Sequence, residues 1–378
     1  MKNVVFGICC FTLSGCLAPK QIFPEGNPFH EKANPVLSSE LSSEGLEAQT
    51  AAHLVKVAII DSGVDYRHPQ LRQHLRLNKS HTGFGLDILG EDGLPYPIIL
   101  NPETGEEIED IFGVNEHGTH VSSLALLGAK LEIPEAHGEK VDIGPRLGLI
   151  PIRVLPLDDE GMDTVASGER SLSDKLMSEK LVAVLSRSIT YAIQEGAHIA
   201  NLSLGVDPAE QSLENRAYLK QLVETDFYKK ISVDGEKILF VFAAGNESVV
   251  VSDGYFPASL KAANTLTVGA LDNNSTIADY SNFGDLVDVY IRGTDVQGLL
   301  PGGLRGKMSG TSMAAPLVAN LAAKMKLLAP CLSASQMRAL IIEQAAPLTK
   351  NVRVARFKET LDAVRALPAE FKLLKCRN

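Results

Sequence analysis

Four residues spread along the chain supply what acyl transfer to a hydroxyl requires: Asp61 in VAIIDSGVDYRHPQL, His117 in NEHGTHVSS, Asn246 in VFAAGNES and Ser312 in GTSMAAP. A serine hydroxyl is a poor nucleophile at neutral pH and needs a base within hydrogen-bond reach. Histidine, with a pKa near neutrality, is the natural base. It in turn needs a carboxylate to fix its tautomer and stabilise its charged form. The oxyanion that develops needs donors already in place, such as a side-chain amide and the N–H groups at a helix start.

Taken singly, each residue has a plainer reading. An aspartate closing a strand caps a turn, a serine behind Gly-Thr caps a helix, and an asparagine after Ala-Gly turns the chain. His117 and His120 are three apart and could face a metal, but no H-E-x-x-H motif or third ligand accompanies them. GGLRGKMS (302–309) fails the glycine spacing of a phosphate loop, and methionine follows its Gly-Lys. It is the set of four that points to a nucleophilic serine site.

Such a site needs a scaffold that brings distant residues together. LVKVAIID (54–61), GLIPIRVL (148–155), HIANLSLG (198–205), ILFVFAAGN (238–246), TLTVGAL (265–271) and VDVYI (287–291) are nearly unbroken apolar runs. Runs of this kind suit parallel strands buried on both faces. Helix candidates lie at 117–128, 176–195, 212–229, 311–328 and 335–346; in the second, Leu181, Val182, Val184, Leu185 and Ile189 recur at helical spacing. Alternating strands and helices predict an α/β fold, a three-layer sandwich with a mostly parallel buried sheet and helices on both faces, over residues 54–366. Residues 367–378 form a C-terminal tail, and 78–112 and 156–175 are long insertions. In such sheets ligands sit beyond the carboxyl ends of strands, where Asp61, Ser203 and Asn246 fall. Ser312 heads the helix from Thr311, and Pro316 is expected near its first turn, where a missing N–H costs least.

The chain order Asp, His, Ser is that of subtilisin. The quoted words resemble the blocks of the subtilase family of serine peptidases: VAIIDSGVD the Asp block, HGTHV the His block, AAGN the oxyanion block and SGTSMAAP the Ser block. The resemblance implies a serine endopeptidase. In it Ser312 is the nucleophile, His117 rather than His120 the base and Asp61 its orienting partner, and Asn246 and the Ser312 N–H form the oxyanion site. It also implies that an extended protein or peptide substrate pairs with Ser203, Leu204 and Gly205. Ala243, Ala244 and Gly245 would line a roomy pocket for the residue before the scissile bond. Glu247 at its rim reads either as a preference for basic residues or as a plain surface carboxylate.

Departures from the family pattern are local. Ser122 and Ser123 stand where the family usually has Ala-Gly, and their hydroxyls must find partners in a tight packing. Ile291-Arg292-Gly293 replaces the usual Ala-Pro-Gly. With only 36 residues between Cys16 and the core, the folded inhibitory pro-domain common in the family is expected to be missing. No cofactor is expected for the chemistry. Structural calcium, common in the family, would draw on LDILGED (86–92) or NPETGEEIEDIF (101–112), which read equally as solvated acidic loops; no metal-ligating residue can be named. Two other readings share the motifs: a weakly active or inactive peptidase-fold lipoprotein that captures peptides, and an acyl hydrolase acting on esters. The second is disfavoured because SGTSMA is not a G-x-S-x-G elbow.

The chain of 378 residues is 45% apolar and 22% charged, an ordinary globular balance. Its net charge of −10 argues against a nucleic-acid partner. MKNVVFGICCFTLSGC has a lysine, a short apolar run and small residues, the shape of an export signal too short to span a bilayer. Leu13-Ser14-Gly15-Cys16 resembles the lipobox of bacterial lipoproteins, which implies a signal peptide over 1–15, a lipidated Cys16 and membrane attachment through that lipid. The plainer alternative is an ordinary cleaved signal. Leu17 in place of an aspartate favours the outer membrane by the same resemblance. Residues 16–53, rich in Pro, Ser and Glu, read as a tether with one short helix near 38–51. Cys331 and Cys376 are left either to pair outside the cytoplasm or to remain thiols.

Overall fold

The structure is a computed structural model that describes residues 55–80, 83–88, 93–97, 114–127, 133–134, 140–141, 146–155, 170–206, 213–252, 254–349 and 351–372. The strands are β1 Val55–Asp61, β2 Leu86–Asp87, β3 Ile133–Pro134, β4 Lys140–Val141, β5 Leu147–Arg153, β6 Ile199–Leu202, β7 Leu239–Ala243, β8 Thr265–Leu271, β9 Val289–Arg292, β10 Val296–Leu300, β11 Leu304–Met308, β12 Ala346–Thr349 and β13 Val352–Val354. Nine of them form one sheet in the order β12-β13-β9-β8-β7-β6-β1-β5-β2. Every pairing in it is parallel except β12 with β13.

The apolar runs are continuous because the sheet is buried on both faces. In β1, Val55, Val57 and Ile59 enter one core, while Ala58 and Ile60 enter another. The first core is covered by helix α1 Val114–Leu127 and, further along the chain, by the helices that follow β11. The second is covered by α2 Arg170–Glu195, through Leu181, Leu185 and Ile189, and by α3 Leu213–Leu222. Wider helical turns at Val223–Phe227 and Lys230–Asp234 continue α3 and bury Phe227 and Ile231. The remaining helices are α4 Thr311–Leu328, α5 Ala334–Glu343 and α6 Phe357–Ala366. Ser333 and Gln336 close a capping box at the start of α5. The result is the three-layer α/β arrangement expected from the sequence.

Several boundaries moved. α1 begins at Val114, three residues before the expected 117, so His117 occupies its fourth position. α2 begins at Arg170 rather than 176. α4 spans the expected 311–328, but Pro316 sits at its sixth position, inside the helix. It therefore removes a true i to i−4 bond, not one of the N–H groups that would lack a partner anyway. The β10–β11 hairpin, turned by Pro301–Gly303, was not anticipated.

The leader, Cys16, the tether, the acidic stretch 101–112, the 156–169 part of the second insertion and Cys376 lie outside the described residues. Cys331, in the turn between α4 and α5, is disulfide-bonded. No helix among the described residues is long and apolar enough to cross a membrane.

Candidate active site

Asp61 closes β1 and is fully buried. Its Oδ1 accepts from the Ser62 N–H at 2.7 Å and from His117 Nδ1 at 2.7 Å. Because an ionised carboxylate only accepts, Nδ1 carries the ring proton, and Nε2 is the basic nitrogen. Helix α1 lies this close to β1 because Gly118 has no side chain. A Cβ there would stand 2.0 Å from the Gly63 carbonyl oxygen and 3.1 Å from Asp61 Oδ1. The Gly118 N–H donates to Ser62 Oγ at 3.0 Å, a second tie between the two segments.

Ser312 is the second residue of α4, behind Gly310, whose φ of 154° starts the helix abruptly. First-turn N–H groups of a helix lack intrahelical acceptors, so Ser312 sits in a field of donors. The N–H that Pro316 lacks would have bonded the Ser312 carbonyl. Ser203 Oγ donates to that carbonyl instead, at 3.0 Å, and itself accepts from Asn201 Nδ2 at 2.9 Å. The Ser312 hydroxyl donates its single proton to the Ser203 carbonyl at 3.3 Å. That contact is long for O–H···O, and a turn about χ1 releases it. The structure thus pairs Asp61 with His117, and Ser312 with Ser203 just beyond the end of β6.

Asn246 follows β7 by three residues. Its Oδ1 accepts from both the Thr311 N–H (2.8 Å) and Thr311 Oγ1 (2.9 Å). Thr311 Oγ1 accepts from the Gly245 N–H at 3.0 Å. This fixes the amide with its oxygen on Thr311 at the head of the serine helix. A point where Gly310 would carry a Cβ lies 3.3 Å from Asn246 Nδ2 and 3.7 Å from Ser312 N. The two expected oxyanion donors therefore border one small space.

Ser203, Leu204 and Gly205 leave the carboxyl end of β6, the first two buried and Gly205 half-buried. Ala243 ends β7 with its side chain in the first core, and Ala244 packs in a separate cluster with Tyr255 and Tyr290. Glu247 is not a plain surface carboxylate: it accepts from the Tyr255 hydroxyl and from Asn282 Nδ2.

His120 is buried and has a structural role. Its Nε2 donates to the Val296 carbonyl at 3.0 Å, and burial, reinforced by the nearby His117, lowers its pKa to about 4. Ser123 Oγ donates to the His120 carbonyl at 2.7 Å and accepts from the Leu299 N–H at 3.0 Å. Asp65 Oδ2 accepts from the Gly302 N–H at 3.0 Å. The β10–β11 hairpin is thus fastened to the segments carrying Asp61 and His117 just before the chain reaches Ser312. Ser122 Oγ is buried with no hydrogen-bond partner among the described residues. Among the described residues no group of three or more His, Cys, Asp or Glu could hold a metal, and Asp87 of the LDILGED stretch is paired with Arg153 at 2.7 Å.

Comparison with known proteins identifies the family of the chain. A family profile described as "Subtilase family" matches residues 53–362. The chain is 32% identical to the thermophilic serine proteinase of Bacillus sp. (strain AK1) over 268 residues, 71% of this chain and 51% of that protein, so it spans about half that relative's length. It is 29% identical to subtilisin BL of Lederbergia lenta over 285 residues, 75% of this chain and 80% of that protein. Among solved structures, the prenylagaramide maturation protease PagA superposes with a TM-score of 0.52 at 21% identity, over 86% of this chain and 98% of that one. At that identity the likeness bears on the fold.

Proposed function

Because the chain belongs to the subtilase family of serine-type endopeptidases, we propose that it hydrolyses peptide bonds in extended protein segments with Asp61, His117 and Ser312 as its catalytic set. The observation that supports this is the buried 2.7 Å bond between Asp61 and His117, 56 residues apart in the chain, in a subtilase-family chain whose Ser312 heads a helix. Substrate entry turns the Ser312 hydroxyl from the Ser203 carbonyl to His117 Nε2. Oγ attacks the scissile carbonyl carbon as its proton passes to Nε2, and the charged imidazole is held by Asp61. The carbonyl π electrons move to oxygen, which Asn246 Nδ2 and the Ser312 N–H stabilise. Collapse expels the amine with the proton from Nε2 and leaves an acyl-enzyme. Water, activated by the same nitrogen, then releases the acid. No cofactor enters this chemistry.

The substrate backbone would lie along Ser203–Gly205 as an added strand, a mode that reads main chain more than side chain. Ala243, Ala244 and Gly245 would border the site of the residue before the cut. The LSGC motif supports export and lipidation at Cys16, and Leu17 after it, in place of an aspartate, favours attachment to the outer membrane of a two-membrane cell. Structural calcium, common in the family, is proposed without an assigned site. The Ser312 proton resting on Ser203 favours a second reading, a latent or weakly active form that holds peptides.

A fluorophosphonate probe and casein cleavage test the main reading together. Wild-type protein should label and cut, with activity rising through roughly pH 6–8 as His117 loses its proton, and Ser312→Ala should do neither. Casein cleavage by Ser312→Ala at the wild-type rate overturns the assignment. An unlabelled wild type supports the latent form. Palmitate incorporation that survives Cys16→Ala rules out that lipid site.

A further inference from the structure

Asn282, in the YSNFG segment after β8, is fully buried and directs all of its amide at the loop that carries Asn246. Its Oδ1 accepts from the Glu247 N–H at 3.1 Å and the Val249 N–H at 3.0 Å. Its Nδ2 donates to the Ala244 carbonyl at 3.0 Å and to Glu247 Oε2 at 2.7 Å. Its own backbone N–H donates to the Gly245 carbonyl at 2.9 Å. Five hydrogen bonds from one residue therefore grip the chain on both sides of Asn246. The fit is tight as well as polar. Gly245 has φ of +104°, and a Cβ there would stand 2.2 Å from Asn282 Nδ2 and 2.2 Å from the Tyr255 hydroxyl.

We infer that Asn282 is a positioning residue for the oxyanion site, acting through Asn246; this rests on the function proposed above. Two acceptor sites and two donors on one planar group match two N–H groups, a carbonyl and a carboxylate. A carboxylate at the same place keeps the acceptors, loses both donors and faces Glu247 with like charge. An apolar residue takes this partner from the Glu247 and Val249 N–H groups and from the Ala244 carbonyl, while Glu247 keeps the Tyr255 hydroxyl. Thr311 locks the Asn246 amide from the serine helix, while Asn282 sets where its backbone stands. The Nδ2 position is thus defined from two sides, and an oxyanion donor is useful only when fixed in advance.

A double-mutant cycle tests this. Asn246→Ala should lower kcat about 10²–10³-fold, the usual cost of one oxyanion donor. Asn282→Ala in the wild-type background should lower kcat about 10-fold or more with KM within about two-fold. In the Asn246→Ala background the same substitution should lower kcat by less than about two-fold, because the donor it positions is gone. Equal fold losses in both backgrounds would show that Asn282 acts on stability or elsewhere in the site, and would overturn the inference. An Asn246→Ala enzyme with wild-type kcat would overturn the oxyanion reading beneath it, and the inference with it. Thermal melts accompany each variant. If Asn282→Ala does not fold, Asn282→Ser and Asn282→Asp carry the same cycle with the same expectations. Asn282→Asp should also show an added ionisation in its kcat profile that Asn282→Ser lacks.

Discussion

Replacing Gly118 with alanine tests whether the Asp61–His117 pair depends on backbone contact between α1 and the turn after β1. The added Cβ would start 2.0 Å from the Gly63 carbonyl oxygen, and real Cβ atoms essentially never approach within 3.0 Å. The helix must therefore back away by about 1 Å. Its far side is held by Asn320, whose Nδ2 donates to the Ala125 carbonyl at 2.8 Å, so the shift concentrates at the helix head. Carried to His117, it stretches the 2.7 Å bond to Asp61 beyond the range in which a hydrogen bond persists. A misplacement of about 1 Å costs roughly 10²-fold in rate, and loss of the carboxylate's hold on the tautomer roughly 10⁴. The expected fall in kcat/KM for a chromogenic peptide is therefore about 10²–10⁴-fold, or about 3–5 kcal/mol of transition-state stabilisation. Fluorophosphonate labelling should slow in parallel. A folded Gly118→Ala enzyme within three-fold of wild type would refute the reasoning.

Two further outcomes follow from buried charge. His120 has its pKa lowered from 6.5 to about 4, by burial first and by His117 second. As pH falls from about 6.5 toward 4, the unfolded chain takes up a proton that the folded protein refuses, so stability declines across that window, by up to about 3 kcal/mol from this group. Urea midpoints at pH 7 and pH 4.5 should show a smaller drop for His120→Gln than for wild type. Asp288 accepts from Lys261 Nζ, Arg338 NH2 and the Thr267 N–H, each at 2.8 Å, on the sheet's β8–β9 side. Asp288→Asn should lower stability by about 1–3 kcal/mol in denaturant melts while leaving kcat within two-fold.

The central strands are legible because each is buried on both faces and so carries few polar residues, such as Lys56 in β1, Asn201 in β6 and Thr267 in β8. α4 is legible to its ends because Gly310 precedes its apolar run and Pro330 pushes Ala329 out of helical conformation behind it. The β10–β11 hairpin was not, since Gly298, Gly306, Arg305 and Lys307 dilute its alternation, although Pro301-Gly302-Gly303 is a turn signal that could have marked it. The head of α1 was placed late because Asn115 and Glu116 lack apolar periodicity. The residues of the candidate site could be named from short local words, but their support could not. Ser123 meets Leu299 across 176 residues, and Asn282 meets Glu247 across 35. Pro316 was misread for the same reason: the hydroxyl of Ser203 that takes over its bonding duty comes from 109 residues upstream.

The hairpin ties have a consequence for the order of events as the chain is made. Gly302 meets Asp65 across 237 residues, and Leu299 meets Ser123 across 176. Contacts so distant form late, because loop closure must be overcome before they contribute. On the proposed catalytic assignment, a chain emerging from its amino end displays Asp61 and His117 long before Ser312 is made, and the segments carrying those two residues are not braced until the hairpin docks. Ser312 then arrives only a few residues behind the brace. On that assignment, the ties bracing the Asp61 and His117 segments close only after seven of the sheet's nine strands have been made.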